Sequence, residues 1–498
     1  MSRTDSSRLA GALTGFAILT VACGTGIADE VRLAEGVVSS DIVSTSGVRS
    51  YRGLPFAASP VGENRWRAPQ PVEPWEGVRD ASEFGNVCIQ ADTRPRYINV
   101  ANMDGSPPLG EDCLYLNVWT PAESASEQLP VMVFFYGGAF TDGGGAPPLY
   151  DGTALAERGA VVVTMNYRLG PFGFLAHPAL SAESGYGSSG NYGILDMVAS
   201  LDWVQRNIEA FGGDPDNVTI FGQSAGAMAI TSLMTSPLTE GLFHRAIAQS
   251  IMGGGASPNG PNATLEAQER AGAEQAEAAA LNTLEAMRAL TPEEVTATFR
   301  AQTMIVDNYA IPEDPAIVFA EGGQHNVDVL MGANAAEMAF GGRGRPPADD
   351  NPSDRIFWVA RRIAEYAREA GQNAWVYWFT QEGADSEQFL PVHAAEVKYV
   401  FDNLGEVPLF PDSSDAEAVA ASEADQRLAD TIASYWVNFA RSGDPNGEGL
   451  PRWPAHSGLD AVDAAILDAD PASETLPTAQ SMQTFESQLD EQLEGLTD

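Results

Sequence analysis

The stretch Val218-Thr219-Ile220-Phe221-Gly222-Gln223-Ser224-Ala225-Gly226 leads from an apolar, strand-like segment into a serine set between glycines, and the apolar segment Ala225–Met234 follows it. A Gly-x-Ser-x-Gly turn between a strand and a helix holds its serine out at the strand tip, where the start of the helix favours negative charge. The glycines stand where the turn is too tight for side chains. Ser224 is therefore the candidate nucleophile.

Working outward, Phe135-Tyr136-Gly137-Gly138-Ala139-Phe140 directly follows the apolar segment Val131–Phe135. Ester hydrolysis builds a negative oxygen on a tetrahedral intermediate, and free backbone N–H groups must point at it. A Gly-Gly-Ala loop brings such groups close without side-chain obstruction. Further continuous apolar runs are Ala160–Asn166, Ala246–Gln249, Val327–Gly332 and Ala374–Phe379. Runs of this kind suit strands covered on both faces. Ile194–Ala210, Arg355–Ala370 and Asp425–Arg441 carry helical periodicity instead. The alternation predicts an α/β domain around a largely parallel sheet. No repeat or low-complexity linker divides the chain, so a single catalytic domain is expected over residues 29–498. Residues 252–325 and 338–372 are expected at its periphery, as lid-like regions.

Several segments together resemble one family. They are Tyr51-Arg52-Gly53-Leu54-Pro55-Phe56-Ala57, Glu111-Asp112-Cys113-Leu114-Tyr115-Leu116-Asn117-Val118, Asn166-Tyr167-Arg168, Gly190-Asn191-Tyr192-Gly193-Ile194-Leu195-Asp196, Phe211-Gly212-Gly213-Asp214-Pro215 and Gly222–Gly226. The chain resembles the type-B carboxylesterases, the group that includes the cholinesterases, over roughly residues 30–480. The resemblance implies the α/β-hydrolase fold: a central, mostly parallel sheet covered by helices on both faces, with peripheral helical insertions. It implies serine ester hydrolysis, with an oxyanion hole from the backbone N–H groups of Gly138, Ala139 and Ala225. Tyr136 stands where many relatives carry His, and Gln223 where Glu is commoner; neither change removes a catalytic group. The resemblance also pairs Cys88 with Cys113, gives Ser250 a place supporting the catalytic acid, and makes Arg168 and Asp196 a buried ion pair.

A serine nucleophile needs a base, and the base needs an orienting acid. Of the five histidines, His177, His244, His325 and His456 read as structural or exposed. His393, in Pro391-Val392-His393-Ala394-Ala395-Glu396-Val397, matches the family's histidine segment. The acid of this fold lies between serine and histidine in the chain. Glu337, ending Gly332-Ala333-Asn334-Ala335-Ala336-Glu337, sits at the family's offset past a strand. Between it and the next helix, Met338–Ser353 is short, polar and rich in Gly and Pro. A stretch with so little apolar surface makes a poor gorge wall, so broad or bulky esters are expected as substrates. An amidase, carbamate hydrolase or lipase with the same triad, or a non-catalytic esterase-like binding protein, are the alternatives. No cofactor is implied, and no Cys/His cluster has metal-ligand spacing.

The formal net charge is −41, and Lys398 is the only lysine. Such a field repels nucleic acid and anionic lipid, so neither is expected as a partner. Oligomeric state is not legible. Residues 1–28 read as an export signal: Arg3 and Arg8, the apolar run Leu9–Ala22, then Gly26-Ile27-Ala28 for cleavage. The protein is therefore expected to be secreted or periplasmic. Cys23, after Leu19-Thr20-Val21-Ala22, is a competing lipid-anchor site. Of three cysteines, export leaves Cys88 and Cys113, which in an oxidising compartment form a disulfide. The excess of carboxylates makes a prediction of its own. Mutual repulsion is screened as the Debye length falls to about 3 Å near 1 M salt. Added NaCl is expected to raise the melting temperature from its low-salt value, and a steady fall in calorimetry would refute this reading of the charge.

Overall fold

A computed structural model describes residues 30–90, 107–251, 263–300, 303–339, 352–382, 390–404, 421–459 and 463–469, together with Ser487. The export-signal residues 1–28, Cys23 and most of the Met338–Ser353 stretch lie outside the described residues.

The central element is a nine-stranded sheet. Its strands are β1 (Arg49–Pro55), β2 (Tyr115–Thr120), β3 (Leu129–Phe135), β4 (Val161–Met165) and β5 (Gly213–Gln223), then β6 (Arg245–Gln249), β7 (Asp328–Asn334), β8 (Ala374–Phe379) and β9 (Ala465–Leu467). The spatial order is β9-β8-β7-β6-β5-β3-β4-β2-β1. All neighbours from β4 through to β9 pair in parallel, and only β1 with β2 and β2 with β4 run antiparallel. The sequence predicts β3 to β8, but not β2, as continuous apolar runs, and they are buried throughout most of their length. β2 escapes that pattern because it carries a polar residue inward. Asn117 is buried, accepts from Gly53 N–H at 3.0 Å and donates to Thr164 Oγ1 at 3.0 Å, so it ties β1, β2 and β4 together.

Helices flank the sheet. α1 (Tyr192–Asn207) and α2 (Ala225–Leu233) precede and follow β5, and α2 packs on β5 and β6. α3 (Leu265–Ala278) lies outside the main core, in the region expected to be peripheral. There Ala276, Met287, Val295 and Phe299 form a second apolar cluster with Trp66, Phe172 and Tyr192. Arg65 anchors it: its guanidinium pairs with Glu111 and donates to the carbonyls of Arg288 and Leu290.

The other expected peripheral region, 338–372, differs. Most of it is α4 (Pro352–Glu369), which packs against β7 and β8. Phe357, Ala360, Ile363, Ala364 and Ala367 form its buried stripe, so this helix is part of the main core. The apolar period of the helix itself is what packs. α5 (Glu423–Ser442) starts at a reciprocal Ser422–Asp425 capping box, packs on β3 and β5, and ends at Gly443.

Cys88 and Cys113 form a disulfide. No helix among the described residues is long and apolar enough to cross a membrane. Arg168 and Asp196 are the buried pair the resemblance implied, with side chains 4% and 0% exposed. Asp196 accepts from Arg168 N at 2.9 Å, Nε at 2.8 Å and Nη2 at 2.7 Å. Removing one partner of such a pair leaves a buried charge uncompensated. Asp196→Ala is therefore expected to cost roughly 3–5 kcal/mol of stability, read from urea unfolding. A loss within the error of the measurement would show that the pair is dispensable.

Candidate active site

Parallel strands end at one edge of the sheet, so the loops that follow β3, β5, β7 and β8 meet there. Those loops carry Gly138 and Ala139, Ser224, Glu337 and His393, the residues singled out from sequence.

Ser224 joins β5 to α2 with φ 56° and ψ −119°. This is a strained backbone for a residue with a Cβ, and it persists only where the surroundings enforce it. Here Ser224 N–H donates to Gln249 O at 2.9 Å, and Ser224 O accepts from Met228 N–H at 2.9 Å. The flanking glycines act by closeness of approach. A Cβ at Gly226 would stand 1.9 Å from Phe135 O, and one at Gly222 would stand 2.6 Å from the same atom. The end of β3, and hence the loop after it, thus lies directly against the elbow.

That loop turns through three consecutive residues of positive φ, Gly138 at 115°, Ala139 at 54° and Phe140 at 59°. Gly138 O accepts from Thr141 N–H and Asp142 N–H, which fixes the turn. Below it Tyr136 and Tyr167 stack with ring centroids 4.3 Å apart. Each hydroxyl donates to the other's backbone carbonyl, at 3.2 and 2.9 Å. Among the described residues, the N–H groups of Gly138, Ala139 and Ala225 donate to no protein acceptor. Unpaired donors in such a place can receive a developing anion.

Glu337 lies just past β7 and is fully buried. Its Oε1 accepts from Asn334 N–H at 2.8 Å, and its Oε2 meets His393 Nδ1 at 2.6 Å. The two loops are also laced through the backbone. His393 N–H donates to Glu337 O, Ala336 N–H to Pro391 O, and Asn334 Nδ2 to Val392 O. Burial pulls the His393 pKa down, but the charge and hydrogen bond of Glu337, and the charge of Glu396, outweigh it and the net shift is upward. With Nδ1 donating to Glu337, Nε2 is left as the basic nitrogen. The Gln223 amide lies 3.1 Å from His393 Nε2, and among the described residues no hydrogen bond joins the Ser224 hydroxyl to the ring. Catalytic contacts of this kind often tighten only once substrate is bound.

Ser250 does not take the supporting place expected of it. It is buried at φ 58°, its N–H donates to Gly332 O, and its hydroxyl has no partner. Ser353, at the start of α4, instead accepts from Glu337 N–H at 2.8 Å. Sequence reading passed over Asn334, Ser353 and Glu396. An asparagine beside the acid, and one glutamate in a chain of 68 acidic residues, carry no signal until the loops are brought together. The remaining histidines are structural. His177 Nδ1 accepts from Ala179 N–H at a helix start, and His244 Nδ1 accepts from Val218 N–H. His325 Nε2 lies by Ser236 O, and buried His456 pairs with Glu365. Among the described residues, no group of three His, Cys, Asp or Glu is placed to hold a metal.

Known proteins resemble this chain over most of its length. A profile described as "Carboxylesterase family" matches residues 28–355 and 351–484. Fumonisin B1 esterase of Sphingopyxis macrogoltabida is 37% identical over 91% of this chain and 90% of its own. Para-nitrobenzyl esterase of Bacillus subtilis (strain 168) is 35% identical over 88% of this chain and 95% of its own. A solved PNB esterase superposes with a TM-score of 0.78 at 30% identity, covering 92% of this chain and 99% of that one. The fold is accordingly the α/β-hydrolase fold.

The close approach at the elbow yields a test. Gly226→Ala forces a Cβ onto the Phe135 carbonyl, and overpacking of this kind costs about 1–3 kcal/mol. The variant is expected to melt earlier and to lose esterase turnover, because β3 and its loop must move. A variant with wild-type stability and turnover would show that the contact relaxes freely.

Proposed function

We propose, for a chain that belongs to the carboxylesterase family and is a carboxylic ester hydrolase, that it works through an acyl-enzyme on Ser224 with His393 as base and Glu337 as orienting acid. The observation that carries this reading is the 2.6 Å contact from His393 Nδ1 to Glu337 Oε2, at the sheet edge that also presents Ser224. His393 Nε2 takes the Ser224 proton as the hydroxyl attacks the ester carbonyl. For this the Gln223 amide gives up its place at Nε2. Glu337 keeps the ring in one tautomer and stabilises the imidazolium. The N–H groups of Gly138, Ala139 and Ala225 receive the oxyanion. His393 then returns the proton to the leaving alcohol, and water attacks the acyl-enzyme by the same route.

The substrate is a small-molecule ester, and acceptance of broad or bulky esters is part of the proposal. Its support is a relative named for para-nitrobenzyl esters, together with the short polar sequence between Met338 and Ser353. The Cys88–Cys113 disulfide supports a secreted or periplasmic setting. We place the catalytic machinery in a single domain over residues 29–498.

The test measures kcat/KM on p-nitrophenyl acetate and on a bulky aromatic ester. Ser224→Ala and His393→Ala are expected to fall by roughly 10⁴-fold or more, and Glu337→Ala by less. Wild type is expected to turn over both esters. Ser224→Ala activity above about a hundredth of wild type would overturn the nucleophile. Turnover of acetate alone would overturn the open site.

A further inference from the structure

We propose that Glu396 is a positioning residue that holds a proton in the resting enzyme and, on ionising, supports the His393 imidazolium from behind the triad. This rests on the triad proposed above.

Two carboxyl groups are fully buried behind one imidazole. Glu337 and Glu396 are each 0% exposed, and Asn334 holds both: its backbone N–H donates to Glu337 Oε1 and its side-chain amide to Glu396 Oε2. Gln249 Nε2 reaches Glu396 Oε1 at 3.1 Å. The ionisable groups that face Glu396 are Glu337, His393, Tyr377 and Tyr150. Burial pushes both tyrosines above their ordinary range, so they stay neutral. His393 is then the only group of this set that becomes a cation, and Glu337 already pairs with it. Two like charges in one dry site do not both ionise easily. Burial first, and then the Glu337 charge, push Glu396 up to about 7.

A second observation fits a proton there. Gln249 Oε1 is buried and has no partner while its Nε2 faces Glu396. The two ends of an amide exchange places by a half turn. A proton on Glu396 Oε1 lets Gln249 Oε1 accept it, and the same half turn brings Gln249 Nε2 to the neighbouring Tyr377 hydroxyl, which is likewise buried without a partner.

The kinetic consequence has a sign. At low pH the cluster holds two protons, one on His393 and one on Glu396. They leave to solvent in two coupled steps. Loss of the His393 proton frees Nε2 to act as base. Loss of the Glu396 proton adds a negative charge that favours the imidazolium formed in the transition state. The ascending limb of kcat/KM against pH therefore has two steps, with the higher plateau above the second.

Glu396→Gln mimics the protonated acid and cannot ionise. The variant is expected to show a single ionisation with its midpoint moved to lower pH, and a high-pH plateau about tenfold below wild type, the equivalent of one pKa unit of coupling. KM is expected to change little. A profile superposable on wild type would overturn the proposal. So would a loss equal at every pH accompanied by a raised KM, which marks a merely structural role. If the variant does not fold, the wild-type profile decides: two steps support the proposal, and a limb that fits one ionisation overturns it. Ser224→Ala measured alongside separates the two readings, since its survival would strike at the triad and leave Glu396 without an object.

Discussion

The carbonyl oxygen of Phe135 stands 1.9 Å from where a Cβ at Gly226 would be. This contact brings the end of β3 against the start of α2, with nothing between them. It places the Gly137-Gly138-Ala139 loop over the elbow and leaves no room for a side chain at Gly222 or Gly226. The strained φ of Ser224 is one cost of that closeness, and the hydrogen bonds from β6 and within α2 hold it. Strand register carries the rest. Gly222 pairs with Phe135 and with Ala248, Ala248 with Met331 and Met331 with Val376. One row across five strands thus sets the level at which every loop of the site departs.

Behind the triad the chain meets a different constraint. Carboxylates this deep need hydrogen-bond donors or protons, because burial without either is costly. The donors are amides, those of Asn334 and Gln249, and no Arg or Lys faces Glu396 among the described residues. An arginine there would neutralise the carboxylates and deprive His393 of their field. Amides satisfy the oxygens without cancelling the charge, which leaves the imidazole as the natural seat of the positive charge. Arg168 and Asp196 show the opposite arrangement elsewhere in the core, where a matched pair closes its own charge balance.

The −41 charge is a property of the whole surface and leaves the site's logic untouched. Even the single lysine does not serve as a surface cation. Lys398 is buried in the short helix Val397–Val400, where desolvation pulls its pKa down to about 7.

The elbow was legible from sequence because a tight turn demands particular residues locally, and Gly222, Ser224 and Gly226 are that demand written out. The strands from β3 to β8 that are buried on both faces were legible for a similar reason, since burial selects continuous apolar runs. β2 was not, because Asn117 points a polar group inward that is satisfied only by β1 and β4. The helix α4 has an apolar period that marks it as a helix, but which sheet face that stripe covers is decided only where it meets β7 and β8. That the Ser353 hydroxyl, and not that of Ser250, reaches the Glu337 turn is recorded by no local pattern: it depends on where β6 ends and α4 begins in space. The Asn334–Glu396–Gln249 network belongs to the tertiary structure alone. Its residues come from three separate segments, and the chemistry of each is ordinary until burial removes water and sets two carboxyls around one histidine.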